Sequence, residues 1–343
     1  MVTWQELKDN PEQKDKLIKK HGIYRYVREF FWQNGFEEAI TPIARTSSDQ
    51  EKYLTPVPLK LHQPNGEEHN YLLITSPEIA LKKMLVAGWN KLFQLAPVFR
   101  DYEEFGHTHN PEFTMLEWYR APGRIEDIMD DMENLFQYVG RNLGVDTLKY
   151  GTRESKVLET WDRLSMKEVW QRYVGVNLDD YLTQESMSEL AKSRGYELED
   201  DESYENIFYK IFLNEVEEKL GVGKPVMVYN YPGKMSAFCR YNPNDERYVE
   251  RFELYINGLE LANGYGELID PVEQEKRFKD NHEYRKELGS PLHPYDTDFI
   301  SALKVGMPPA GGVALGIERV VMLFTGAKNI NEVIFESAYD QSL

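Results

Sequence analysis

The sequence, 343 residues long, predicts an α+β fold in one domain, and three observations carry the expectation. A long helical period near the N-terminus is followed by a hairpin-like pair of β-prone runs. Amphipathic helices then fill the middle of the chain before strands resume. No internal repeat, low-complexity tract or Pro/Gly/Ser linker divides it, so a single domain over 1–343 is expected, with a helical insertion at about 121–222.

Residues 14–33 form the first helix, because Leu17, Ile18, Ile23, Tyr24, Val27, Phe30 and Phe31 recur at helical spacing; Asn34-Gly35 ends it. A short strand over 36–42 is closed by Pro42, which cannot continue a ladder. An apolar strand at 71–75 leads through Ser76-Pro77-Glu78 into helix 79–87, with proline at its start. The runs 92–99 and 113–119 read as a hairpin around the polar loop 100–110. Helices with acidic outer faces follow at 124–143, 166–173, 187–194 and 204–220. Strands resume at 226–229, 237–241, 249–256 and 260–263, and helix 271–288 comes after them. The remainder is 299–304, a glycine-rich turn and a final helix at 317–325.

Composition narrows the function. With 40 basic and 58 acidic residues the net charge is -18, which repels polyanions, whereas nucleic-acid binders usually present a basic face. The patch of Lys14, Lys16, Lys19, Lys20, Arg25 and Arg28 is interrupted by Asp15 and Glu29 and reads as a solvated helix face. No apolar stretch approaches the roughly 18 residues of a membrane helix. The N-terminus lacks a signal-peptide layout and the single cysteine, Cys239, cannot form an internal disulfide, so a cytoplasmic location is expected.

Three constellations carry chemistry. Phe99-Arg100 opens the polar loop, and the strand after it puts Phe113, Glu117 and Tyr119 on one face. A strand-end arginine suits a phosphate and a carboxylate held together, since its planar fork gives directed bonds; the alternative is an ion pair with Glu103 or Glu104. In the second, Arg251 to Glu267, the acids lie on apolar strands. Glu253 and Glu260, brought together across a turn at Asn257-Gly258, suit magnesium; otherwise they are a solvated hairpin face. Asn263, Tyr265 and Glu267 alternate onto one face, where an amide and a carboxylate suit the ammonium groups of a basic amino acid. The third, Gly306 to Arg319, brings glycines to the start of an apolar helix, a place that favours anions. It matches neither a Walker nor a Rossmann pattern, and Arg319 in the first turn opposes the helix dipole unless an anion or aromatic ring is near.

Gly35-Phe36 through Pro42, Phe99-Arg100 through Glu117 and Gly312 through Arg319 together resemble motifs one, two and three of the class II aminoacyl-tRNA synthetases, the lysine enzyme above all. The resemblance implies a class II catalytic domain, its mixed, mostly antiparallel sheet flanked by helices. It makes Arg100 the clamp on the α-phosphate and the amino-acid carboxylate, and places Phe113 and Arg319 on the two sides of adenine. ATP would also meet Asp101, Tyr102, Glu103, Glu104, His107, Asn110, Glu260, Leu261 and Gly316, with Mg2+ on Glu253 and Glu260. Glu78 and Asn263 would sit near the α-end of a lysine-type amino acid, and Ser76 would also bind it. Glu117, Tyr119 and Glu267 would receive its distal ammonium, in a pocket shared with Tyr265 and Ala314.

Motif one ends at Pro42, so the anticodon-binding barrel of lysyl-tRNA synthetases is not expected. With Ser76-Pro77-Glu78, Met115 to Arg120, Glu260 to Gly264 and Val313-Ala314-Leu315-Gly316 it is similar to the elongation factor P lysine ligase family, whose members attach (R)-β-lysine to a lysine of that factor. Ala314 stands where the tRNA enzymes usually have glycine. The loop 100–109 is one residue longer than the family pattern, leaving open whether Glu103 or Glu104 faces ATP, and His107 replaces a common arginine. His107 and His109 as a zinc pair lack a third ligand, and ordinary hydrogen bonding is expected of them. Elongation factor P is the expected acceptor. The rival readings are a tRNA- or carrier-loading enzyme, against whose tRNA form the charge counts, and a silent amino-acid-binding paralogue. A homodimer is expected, because motif one forms the subunit interface in this class.

Overall fold

The computed structural model, which describes residues 2–48, 51–200, 202–236 and 238–337, is built around an eight-stranded sheet. In chain order, β1 (Glu37–Glu38) precedes a small sheet of β2 (Ala44–Arg45), β3 (Pro58–His62) and β4 (Glu68–Leu73). The long hairpin of β5 (Lys91–Phe99) and β6 (Glu112–Arg120) comes next, then the pair β7 (Thr147–Tyr150) and β8 (Arg153–Lys156). The set is completed by β9 (Asp162–Ser165), β10 (Val226–Pro232), β11 (Tyr248–Ile256), β12 (Leu259–Gly266) and β13 (Gly311–Gly316). The large sheet runs β1-β5-β6-β13-β12-β11-β10-β9. Its two outer pairings are parallel and those between are antiparallel, the mixed sheet expected of the class.

Side chains alternate along these strands, so the sheet has two different faces. One is dry. Phe93, Trp118, Phe252, Leu254 and Leu315 pack there beneath α2 (Pro11–Gln33), α4 (Ile125–Leu143) and α10 (Ile317–Thr325). Helix α2 follows the short α1 (Trp4–Asp9); Asn10 caps it by accepting from the Gln13 N–H at 3.1 Å, and Pro11 sits where no N–H is missed. Its Phe31 is fully buried against Phe36, Phe93 and Trp118, and truncating such a ring to alanine costs about 3–5 kcal/mol. Buried Glu318, in the first turn of α10, accepts from the Thr114 N–H at 2.8 Å and pairs with Lys20 at 3.1 Å, tying three elements together.

The opposite face is flanked by α3 (Glu78–Val86), by α5 (Met166–Tyr173), α6 (Gln184–Ser193) and α7 (Tyr204–Glu215) at the β9–β11 end, and by α8 (Pro271–Glu287) and α9 (Thr297–Val305). The stretch expected as a helical insertion, 121–222, divides here. Its first helix, α4, belongs to the dry core, and β9 is an edge strand of the large sheet; only α5 to α7 form a cluster of their own with β10 and β11. Amphipathicity shows that a helix has a buried face but not which sheet it covers.

Two expectations at the strand level are corrected. The glycine-rich segment taken as a turn is β13, hydrogen-bonded on both sides, to β6 and to β12. The strand expected at 237–241 is replaced by isolated bridges from Cys239 to Glu267 and from Tyr241 to Val249; Ala237 lies outside the described residues.

Candidate active site

The open face of the central strands carries the polar residues. On β6 the alternation selects Phe113, Met115, Glu117 and Tyr119; on β13, Gly312 and Ala314; on β12, Asn263 and Tyr265, with Glu267 just past its end. Two cavities lie over them. One, of about 340 Å³, is lined by Ser76, Glu78, Glu117, Tyr119, Asn263, Tyr265, Glu267 and Gly312. The other, of about 120 Å³, is lined by Glu103, Asn110, Phe113, Leu261, Gly316 and Arg319. They meet at Arg100, Met115, Glu260, Asn263 and Ala314, which line both.

The larger cavity is a cage of carboxylates. Glu117 is buried, accepts hydrogen bonds from Ser76 Oγ and from the Tyr119 hydroxyl at 3.0 Å, and is pushed up to about 8, chiefly by burial and then by Glu78. Burial also raises Glu267, to about 7, and the Lys82 ammonium beside it opposes a further rise. Glu78 opens α3, where Ser76 Oγ accepts from its N–H at 2.9 Å. Close approach shapes the floor: a Cβ on Gly312 would lie 2.2 Å from the Tyr119 ring and 2.6 Å from Glu267 Oε1. The outer wall is the segment 51–55, held by buried Arg285. That guanidinium donates to the carbonyls of Glu51 (3.2 Å), Lys52 (3.1 Å) and Leu54 (2.8 Å) and to Thr55 Oγ1 (3.1 Å).

In the smaller cavity the Arg100 guanidinium stands 5.0 Å from the centre of the Phe113 ring. Arg319 opposes the dipole of α10, as its position predicts, and acceptors compensate: it donates to the carbonyls of Thr108 (3.2 Å) and Glu260 (2.6 Å) and contacts His109 Nε2 at 2.8 Å. His109 is held below the ordinary histidine range by burial and by Arg319, so its neutral ring can accept the hydrogen bond from Arg319.

The loop between β5 and β6 divides the remaining predicted residues. Glu103 lines the smaller cavity; Asp101, Tyr102, Glu104 and His107 are exposed and line neither. Asp101 instead bridges to Thr55, and the His107 carbonyl accepts from the Ile330 N–H at 2.7 Å. Tyr102 and His107 adopt left-handed backbone conformations, φ 57° and 49°, and the sequence gives no signal for this reversal.

The predicted magnesium pair is only half available. Glu253 faces Asn263 on β12 while Glu260 faces Tyr255, with a bulge between, so the turn at Asn257-Gly258 does not set them opposite each other. Glu253 is buried outside both cavities, its oxygens taken by Arg251 (2.5 Å) and by the hydroxyls of Tyr231 (2.5 Å) and Tyr255 (2.5 Å). Glu260 lines both cavities and is raised to about 7 by burial and by neighbouring Glu253. A cation that takes one carboxylate and leaves its other positions to phosphate oxygens and water fits Glu260. Among the described residues no group of three or more His, Cys, Asp or Glu is arranged to hold a metal.

Sequence reasoning missed Lys82. It is fully buried, reaches Glu78, and lies 2.5 Å from Glu267. Its one signal was the i,i+4 spacing from Glu78, which an exposed helical pair shares.

An arginine at the junction of an acid-lined cavity and one that holds Phe113 and Arg319, on the open face of a mostly antiparallel sheet, is what the three motifs imply, and the chain belongs to the tRNA synthetases class II (D, K and N), which it matches over residues 3–336. Within that class it is similar to the elongation factor P--(R)-beta-lysine ligase of Avibacterium paragallinarum, 37% identical over 319 residues that cover 93% of this chain and 94% of that protein.

Proposed function

We propose that the protein activates a lysine-type amino acid, (R)-β-lysine, as an adenylate at the expense of ATP and transfers it to a lysine side chain of elongation factor P. The observation that carries the reading is the pair of cavities meeting at Arg100, one lined by Glu78, Glu117 and Glu267 and the other by Phe113 and Arg319. The relative's name supports the choice of amino acid and acceptor.

The larger cavity takes the amino acid. Asn263 and Glu78 meet the end nearer the carboxylate, and Glu117, Tyr119 and Glu267 meet the distal ammonium, whose burial without partners would be costly. Adenine lies between Phe113 and Arg319. Arg100 draws the carboxylate and the α-phosphate together; a carboxylate oxygen bonds to the α-phosphorus in line as the bond to pyrophosphate breaks, and catalysis is positioning and charge neutralisation. The ε-amine of the acceptor lysine then bonds to the carbonyl carbon and AMP leaves. Magnesium, when bound, would be held by Glu260, with Glu253 behind it, and would neutralise phosphate charge. The enzyme acts in the cytoplasm as a homodimer joined along α2.

Amino-acid-dependent ATP–pyrophosphate exchange tests the first step, with α-lysine and (R)-β-lysine compared, and transfer of labelled amino acid to elongation factor P or to tRNA tests the second. Exchange with (R)-β-lysine and loading of the protein are expected. The absence of exchange with any amino acid would sink the enzyme reading, and loading of tRNA alone would reverse the acceptor.

A further inference from the structure

Lys82 is an ammonium with no exposed surface, placed by one helical turn of α3 behind the acidic end of the larger cavity, where it is not itself a lining residue. Every element around it presents charge or π-density. Glu78 comes from its own helix, Glu267 from the end of β12 at 2.5 Å, Glu117 and Tyr119 from β6, and the Phe238 ring lies 4.8 Å from the ammonium. Arg240, whose charge also reaches Glu267, is matched by Glu250 at 2.6 Å, and Tyr265 sits on the same face. A buried lysine usually sheds its proton; here the two carboxylates raise its pKa above the ordinary lysine value, so it stays charged.

Charge counting gives this residue a purpose. Three carboxylates, Glu78, Glu117 and Glu267, against one internal ammonium leave two negative charges when all are ionised, and a diamino acid brings two ammonium groups. Farther out, Lys52 pairs with Glu205 at 3.2 Å and Arg251 with Glu253 at 2.5 Å; Glu51 lies in the outer wall, and Arg100 and Glu260 stand together at the junction with the smaller cavity. Without Lys82 three like charges would share one buried space, and one carboxyl would take up a proton.

We propose that Lys82 is the internal counter-ion of the amino-acid cavity, a positioning residue that holds the Glu78 and Glu267 carboxylates fixed relative to each other and offsets one of their charges, so that the cavity accepts a molecule with two ammonium groups. The proposal rests on the reading of this cavity as the amino-acid site. Burial and the neighbouring Glu78 raise Glu267 and Glu117 while Lys82 opposes the rise, so removal of the lysine charge lifts both further and leaves more of each protonated at neutral pH.

The test is K82M in the full chain, a replacement of similar length without charge. Binding of α-lysine and (R)-β-lysine is measured by calorimetry, and KM values for amino acid and ATP by exchange, from pH 6.5 to 9. The expected result is amino-acid affinity about tenfold or more weaker at pH 7, with the KM for ATP unchanged, and a deficit that shrinks toward pH 9 as the carboxyls ionise unaided. K82A with added ethylammonium provides a second route: the small cation should restore affinity to the shortened variant, and should raise its melting temperature if the substitution impairs folding. Equal or tighter binding by K82M at pH 7, or a deficit that neither pH nor ethylammonium alters, would overturn the role of Lys82. Failure of the unmodified protein to bind either amino acid would overturn the reading of the cavity and this proposal with it.

Discussion

Glu117 and Glu267 have pKa values of about 8 and about 7 because burial strips water from their charged forms, so at pH 7 a share of each is protonated. An ammonium ligand favours the ionised forms, and its binding therefore expels protons. Affinity for a diamino acid is expected to rise from pH 6 to 8.5, and calorimetry at pH 7 in buffers of different ionisation enthalpy should report net proton release; a heat independent of buffer would remove both carboxyls as ammonium partners. Ala314 tests shape instead of charge. It pairs with Glu117 on one side and Asn263 on the other, at the junction of the cavities, so Ala314→Gly should shift the α-lysine to (R)-β-lysine ratio of kcat/KM toward α-lysine by about tenfold, the effect of one pocket methyl. An unchanged ratio would count against the pocket argument. Strand alternation made Glu117, Tyr119, Asn263, Tyr265 and Glu267 legible in the sequence, since period two fixes which residues share a face. Lys82 was not legible because Glu267, which marks it as part of the site, comes from a distant segment; nor was the diversion of Glu253, because strand alternation places Arg251 and Tyr255 on its face without showing that they and Tyr231 of β10 take up its oxygens.

Strand β13 shows why one element was misread. Three of its six residues are glycine, a composition that marks turns in isolation, yet it is paired along both edges in the middle of the sheet. Its glycines answer a packing demand: at Gly312 the Tyr119 ring and the Glu267 carboxylate approach too closely for any side chain. Gly312→Ala should lower stability by about 1–3 kcal/mol, as overpacking does, and weaken amino-acid binding more than ATP binding. Denaturant unfolding and the two KM values measure this; equal losses for both ligands would mean general damage to the sheet. The long helices were the most legible elements, since α2 and α4 repeat their apolar residues over several turns. Of the short edge strands, β1 lies within the strand expected at 36–42, whereas β9 was not legible, having too few residues for a period to register.

On the scale of the whole molecule, the net charge of -18 opposes non-specific association with nucleic acid. Apolar residues also reach the surface in and just after α2: Ile18 and Trp32 are 58% and 53% exposed and Ile40 is 93% exposed. If motif one joins two subunits, this is the surface they cover, and Trp32→Glu with Ile40→Glu should convert a dimer to monomers in light scattering; a mass unchanged from that of the parent would remove this face from the interface. The arginine that pins segment 51–55 has a consequence at this scale too. A guanidinium keeps its proton throughout the range in which Glu117 and Glu267 exchange theirs, so Arg285 fixes the wall while the floor titrates. The container thus has constant dimensions and adjustable charge, and an inhibitor matched to its outline at one acidity should keep the same pose at another while its potency changes.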